Sequence, residues 1–214
     1  MKNLPSKRLE KKLFSQGYGY VCGVDEVGIG CLAGPVVVCA VGIKKDFHDK
    51  AHKNLSNLRE SKLLSSGQRE SFAKQLIREH GFLYAITSCS PKVIDKINIY
   101  QATRLAMRQS LKKIQPPRSL KTMVLVDGKH KLAGIKYDQR ASIKGDRKIF
   151  AIACASIIAK VHRDKLMTKM AKRYPGYGFE KHKGYGTKYH QTQLSLLGPS
   201  AIHRHSFAPV RKML

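Results

Sequence analysis

Blocks of apolar and polar positions along the chain predict its elements. Residues 21–24, Val-Cys-Gly-Val, are apolar and run into two adjacent carboxylates, Asp25 and Glu26. Gly28 and Gly30 follow, and a second apolar run begins at Val36 and reaches Ile43. This spacing predicts a strand, a tight glycine turn and a second strand, with the acids where the first strand stops. Neighbouring strand residues point to opposite faces, so Asp25 and Glu26 converge only if the strand breaks there. Residues 44–57 read as a polar loop. Ser65 and Gln68 form a capping box for a helix whose apolar face is Phe72, Ala73, Leu76 and Ile77, stopped by Gly81. Alternation and β-propensity predict a strand over 82–88. Ser90-Pro91 starts a helix that runs to Ile114 with Tyr100, Thr103, Met107, Leu111 and Ile114 on one stripe. Residues 123–126 are wholly apolar, as in a buried parallel sheet, and end at Asp127-Gly128. A strand is predicted over 137–143, ending at Lys144-Gly145-Asp146. Residues 149–170 form a long alanine-rich helix, apolar on nearly every side in its first half and therefore buried. Residues 1–16 read as a loosely packed basic arm with a short helix, closed by Gly17-Tyr18-Gly19.

The 214 residues suffice for one ordinary domain, or one domain with a small appendage. No apolar run is long enough to span a bilayer and no secretory pattern opens the chain, so the expectation is a cytoplasmic protein without membrane contact. Cys22, Cys31, Cys39, Cys89 and Cys154 lack any Cys-x-x-Cys pattern, and their apolar neighbours predict reduced, buried thiols. Charge changes the picture most. Forty-one Lys and Arg against 14 Asp and Glu give a net charge of +27, a field that attracts polyanions, nucleic acid first among them. Residues 160–188 interleave cations such as Arg163, Lys181 and Lys183 with Tyr174, Tyr177, Phe179 and Tyr185, and Tyr189 lies just beyond. That mixture suits phosphate contact plus packing on sugars or bases, the reading the net charge favours; a solvated helix end with ordinary tyrosine packing is the alternative.

Few acids remain, and four of them, Asp25, Glu26, Asp127 and Asp146, each end an apolar or β-rich segment within two residues of a glycine. Ligands of open α/β sheets gather at the carboxyl ends of strands. Clustered acids repel unless a cation lies between them, and Mg²⁺ or Mn²⁺ takes oxygen ligands while keeping water for a substrate phosphate. Two such ions about 4 Å apart activate water and stabilise a leaving oxygen. The residues alone also fit four unrelated turn acids. The Gly-x-Gly pair is not a dinucleotide fingerprint, because Pro35 and three valines follow where a helix is needed. His48 and His52 have zinc-pair spacing, but Asp49 stands where the motif needs Glu and the stretch does not read as helical. His203-Arg204-His205 reads as phosphate-facing or structural. Asp164 lies 18 residues beyond Asp146, roughly 27 Å along a continuous helix, too far to share a metal pair with it.

The stretch Gly23-Val24-Asp25-Glu26-x-Gly-x-Gly-x-Leu-Ala-Gly-Pro-Val-Val resembles the signature of ribonuclease HII, the type 2 ribonuclease H. Glu60-Ser61-Lys62, Val126-Asp127-Gly128, Lys144-Gly145-Asp146, the segment 155–161, the segment 177–187 and His203-Arg204-x-Ser206-Phe207 match its later motifs in order. The resemblance covers residues 21–210. It implies an α/β protein with an RNase H-like fold, a five-stranded mixed sheet flanked by helices, and a C-terminal helical extension. The implied organisation is a basic arm over 1–19, a catalytic domain over 20–172 and a substrate-binding extension over 173–214. The implied activity is metal-dependent cleavage of the RNA strand of RNA–DNA hybrids, and nicking 5′ of ribonucleotides embedded in DNA, by a monomer serving DNA replication and repair. Two Mn²⁺ or Mg²⁺ ions, Asp25, Glu26, Asp127 and Asp146 form the implied catalytic and metal set. The implied substrate contacts are the backbone of Gly28, Ile29 and Gly30 at the ribose 2′-hydroxyl, Tyr185 at the ribose–deoxyribose junction, and Lys62 and Lys183. Two departures stand out. Ile29 replaces the usual arginine between the glycines, which leaves the backbone reader intact and removes one cation, and Glu60 stands where Asp is common. A non-arginine residue at 29 also fits the sister class, ribonuclease HIII, although the first 20 residues are too short for that class's extra domain. A non-catalytic basic binder on the same fold is the remaining alternative; four intact carboxylates argue against it.

Overall fold

The computed structural model describes residues 5–50 and 64–214. Strands β1 (Tyr20–Val27), β2 (Val36–Lys44), β3 (Phe82–Cys89), β4 (Thr122–Asp127) and β5 (Asp138–Ser142) form a five-stranded mixed sheet in the order β3-β2-β1-β4-β5. Strand β4, apolar over 123–126, is an interior strand with a neighbour on each side, as its pattern predicts. It pairs in parallel with β1 from Tyr20↔Thr122 to Val24↔Val126, and with β5 from Met123↔Asp138 to Asp127↔Ser142. The ladder between β1 and β4 therefore stops at the residue before each acid.

Helix α1 (Arg8–Ser15) corrects the expectation of a loose arm. Leu13 and Phe14 are buried, and so is Glu10, whose Oε1 accepts the Ala151 N–H at 2.8 Å. Ser6 N–H donates to the Lys148 carbonyl at 2.9 Å. The arm is fixed because a carboxylate caps the first turn of α6 (Phe150–Arg173), where backbone N–H groups lack partners. The first half of α6 is buried, as predicted. Its approach to β1 is so close that a Cβ on Gly23 would lie 2.3 Å from the Ala151 carbonyl carbon.

Two further expectations change. The predicted loop after β2 begins as helix α2 (Lys45–Lys50), because Phe47 and His48 have a core to enter. Of the two grounds for rejecting a zinc pair there, absence of helix does not hold at His48, whereas Asp49 in the place of the motif's Glu still stands. His48 instead packs against the rings of Phe14 and Phe150, at 5.2 and 6.5 Å, and burial pulls its imidazole below the usual range. His52 lies outside the described residues. Helix α3 (Ser66–Arg78) carries the predicted capping box, with both the Ser65 and Gln68 side-chain bonds present. Helix α4 (Pro91–Ile114) is not continuous. Asn98 adopts φ 63°, and its Oδ1 accepts the Gln101 N–H at 3.0 Å, so the asparagine ends one helix and caps the next. Its stripe is buried at Thr103, Met107, Leu111 and Ile114, whereas Tyr100 is exposed.

The chain divides into two compact units. The first, Met1–Glu26, Val38–Thr87 and Met107–Val161, carries most of the sheet and the first half of α6. The second, Val27–Val37, Ser88–Ala106 and His162–Leu214, contains α7 (Phe179–His182), α8 (Lys188–Leu197) and α9 (Ala208–Arg211). Its core joins Ala33 to Met167, Tyr177 and Phe179, and Leu32 to Leu194 and Val210. The five cysteines are free and buried. Among the described residues, no helix is long and apolar enough to cross a membrane.

Candidate active site

In the first unit, Asp25, Glu26 and Asp127 each offer a carboxylate oxygen, and these atoms lie within 4.8 Å of one another. The sheet produces this. Parallel β1 and β4 end side by side, so Asp25 and Asp127 leave the ladder together. Glu26 sits one residue on, where strict alternation would turn it away. The strand continues to Val27, so the predicted break comes later, at Gly28 with φ 92°. Convergence comes instead from the carboxylate of Asp25, which folds back to accept the Glu26 N–H at 2.9 Å. Asp127 Oδ1 is fixed by the Gly145 N–H at 2.7 Å, which ties β4 to the short helix α5 (Gly145–Lys148) carrying Asp146.

Burial holds the Asp25 carboxyl well above the usual carboxylate range, and the negative charges of Glu26, Asp127 and Asp146 push it further. A hydrogen bond from Ser156 on α6 opposes them. Ser156 is given no role in the sequence reading, although it lies in the segment 155–161 that matches a family motif and is a lone hydroxyl in the apolar run 151–159. Asp146 lies outside the tight trio but within electrostatic reach of Asp25. A buried carboxyl crowded by like charges is what a hard divalent cation relieves, so the donor set fits Mg²⁺ or Mn²⁺. Asp146 and Asp164 stand on separate helices, α5 and α6, so the continuous helix expected between them is not formed; the charge of Asp164 acts on the Tyr185 hydroxyl in the second unit.

In the second unit, the loop after β1 is stitched to the C-terminal segment. Leu32 N–H donates to the Gly184 carbonyl at 2.8 Å, and Cys31 and Tyr185 form an antiparallel bridge. Tyr185 is 39% exposed, and its ring lies 5.8 Å from the Arg163 guanidinium. Lys183 is half-buried; its ammonium donates to Thr168 Oγ1 at 2.9 Å and to the Glu180 carbonyl. The predicted ring-and-cation surface is only partly a surface. Tyr177 and Phe179 are buried, stacked at 5.2 Å, and Arg163 is fully buried. Tyr185 and Tyr189 remain exposed. Glu60, Ser61 and Lys62 lie outside the described residues.

His203-Arg204-His205 resolves as structural at its first two positions, which are buried. Ser200 N–H donates to His203 Nδ1 at 2.9 Å, so the neutral ring carries its proton on Nε2 and gives it to His190 Nε2 at 3.1 Å. His190 Nδ1–H then donates to the Tyr185 carbonyl at 2.9 Å. Burial pulls both imidazoles down to about 4.

A five-stranded mixed sheet presenting carboxylates at the ends of adjacent parallel strands is the arrangement of an RNase H-like fold with a candidate divalent-metal site. The crystal structure of ribonuclease H2 from Pyrococcus horikoshii superposes with a TM-score of 0.74 at 27% identity, covering 91% of this chain and 96% of that one. A ribonuclease HIII crystallised with Mn²⁺ shares the fold at a TM-score of 0.67 and 16% identity, covering 92% of this chain and 70% of that one. A family model described as Ribonuclease HII matches residues 22–210. The ribonuclease HII of Caldicellulosiruptor bescii is 45% identical over 201 residues, 93% of this chain and 91% of that protein. That of Acholeplasma laidlawii is 45% identical over 206 residues, 96% of this chain and 95% of that protein. The chain belongs to the ribonuclease HII family; it is a divalent-metal-dependent ribonuclease H endonuclease acting on RNA–DNA hybrids.

Proposed function

We propose that the chain, besides cutting hybrids, nicks duplex DNA on the 5′ side of an embedded ribonucleotide and leaves 3′-hydroxyl and 5′-phosphate ends. The observation that carries this reading is the convergence of the Asp25, Glu26 and Asp127 carboxylates, with Asp146 in electrostatic reach. These four acids hold the metal and are the catalytic set. Mn²⁺ or Mg²⁺ fits their oxygen donors, and two such ions, when bound, supply an activated water and offset charge on the leaving oxygen.

Water rather than the ribose 2′-hydroxyl is the nucleophile, because the site gathers metal-binding acids and, among the described residues, no histidine belongs to that cluster. His190 and His203 are buried, neutral and bonded to each other. The backbone of Gly28, Ile29 and Gly30, which begins two residues after Glu26 in the chain, reads the 2′-hydroxyl, the group that marks RNA. Exposed Tyr185 packs at the ribose–deoxyribose junction, and Lys183 and Lys62 face phosphate. The arm (1–19) and the catalytic segment (20–172) precede an extension (173–214) that binds substrate. The protein works as a cytoplasmic monomer in DNA replication and repair.

A duplex holding one ribonucleotide, incubated with each metal in turn and compared with a hybrid, tests this. Nicking 5′ of the ribonucleotide with 5′-phosphate products is expected. An uncut duplex, or a 2′,3′-cyclic phosphate end, overturns the reading.

A further inference from the structure

Two arginines that take no part in the metal centre are fully buried, Arg163 and Arg204. A buried guanidinium normally demands a carboxylate. Here the hydrogen bonds of both go to backbone carbonyls. Arg204 donates from Nη2 to Gly28, from Nη1 to Ile29 and from Nε to Gly34, at 2.7, 2.7 and 3.0 Å. Arg163 donates from Nε to Pro35, from Nη2 to Ala33 and from Nη1 to Lys183, at 3.1, 3.2 and 2.8 Å. The loop between β1 and β2 has turned its carbonyls inward onto two cations.

Peptide geometry fixes what this does to the other side of the loop. In a trans peptide the C=O of one residue and the N–H of the next point in opposite directions, and the chain contains no cis peptide among its described residues. Holding the Gly28 and Ile29 carbonyls therefore aims the N–H groups of Ile29 and Gly30 away from Arg204, side by side. Among the described residues, neither N–H enters a backbone hydrogen bond. The two glycines divide the work. A Cβ at Gly28 would lie 2.3 Å from Arg163 Nε, whereas a Cβ at Gly30 would meet nothing within 4 Å. Gly28 makes room for the arginine below, and Gly30 leaves the outer face open. Consecutive N–H groups on an open face form a small concavity for an electronegative oxygen.

We propose that Arg204 is a positioning residue for ribonucleotide recognition, whose forked guanidinium presents the Ile29 and Gly30 N–H groups as a paired donor to the ribose 2′-oxygen. This rests on the embedded-ribonucleotide reading above. A lysine retains charge but cannot grip two successive carbonyls in one plane.

The test measures binding without cleavage, in EDTA, to a duplex with one ribonucleotide and to the same sequence as DNA throughout. Phosphate is common to both duplexes, so only a 2′-oxygen contact separates them. The wild type is expected to prefer the ribonucleotide duplex, and Arg204→Lys to lose about tenfold of that preference with affinity for the DNA duplex unchanged. In the ¹⁵N-labelled wild type, the Ile29 and Gly30 amide signals are expected to move with the ribonucleotide duplex and not with DNA. If the wild type binds both duplexes equally, the embedded-ribonucleotide reading itself falls. If it discriminates but the two amides respond equally to both duplexes or to neither, the positioning role is overturned, even where Arg204→Lys does not fold. Full discrimination in a folded Arg204→Lys overturns it too.

Discussion

Asp25 is 4% exposed among like charges, with its carboxyl held well above the usual carboxylate range by burial first and by Glu26 and Asp127 next. In the metal-free protein that charge is a liability. Asp25→Asn is expected to abolish turnover and yet to stabilise the metal-free fold by about 1 kcal/mol, or roughly 2–4 °C. A thermal melt in EDTA checks the sign, and a lower midpoint than wild type would refute it. Ile29 is a second such test. Its side chain is 41% exposed while its carbonyl is gripped by Arg204, so recognition there belongs to the backbone. Ile29→Arg adds a phosphate contact of about 1.5 kcal/mol or less on a screened surface. It should lower KM with kcat and ribonucleotide selectivity unchanged, the pattern of uniform binding; a kcat raised by orders of magnitude would contradict this. The acids were legible in the sequence because each ends an apolar run. Arg163 was not, since an arginine in a chain of charge +27 reads as a phosphate contact until the fold encloses it, and for Arg204, read as phosphate-facing or structural, nothing local named the carbonyls it holds.

Strands announce themselves by short apolar runs or by alternation, and all five lie near their predicted places. What escaped prediction were contacts between positions far apart in sequence. Nothing local to Glu10 says that its carboxylate will accept the N–H of Ala151, 141 residues on. That contact gives α1 its purpose. Glu10→Ala should destabilise the protein by about 1–2 kcal/mol, the loss usual for a helix N-cap, whereas Glu10→Gln retains an acceptor oxygen and should lose less. Urea midpoints compare the two, and equal losses would show that the cap is not the reason. Asn98 likewise looked like helix interior, because its left-handed backbone depends on its own side chain serving Gln101. The imidazoles of His190 and His203 carry a pH dependence. Their folded values, about 4, lie below the ordinary value near 6.5, so the unfolded chain binds more protons in between. Stability is fully present above pH 6.5 and declines as pH falls toward 4, by roughly a few kcal/mol in total. Unfolding midpoints at pH 7, 5.5 and 4.5 should fall in that order, and a flat profile would exclude the neutral pair.

At the scale of the whole molecule, +27 on 214 residues makes association with a polyanion largely a matter of counterion release. The logarithm of the binding constant should fall linearly with the logarithm of salt, with a slope of about −0.9 for each phosphate neutralised on duplex DNA. A salt-insensitive affinity would mean that the basic surface does not carry the binding. The five buried thiols give the molecule an internal stopwatch. Cys22 is pushed up to about 12, and Cys39 and Cys154 are raised by burial as well, so in the native state they lack both access and thiolate. A thiol reagent reaches them only when the surrounding structure opens. Cys22, Cys39 and Cys154 belong to the first unit and Cys31 and Cys89 to the second. Labelling rates resolved by peptide mass would time the opening of each unit separately, with the protein's own cysteines as the reporters and no substitution needed.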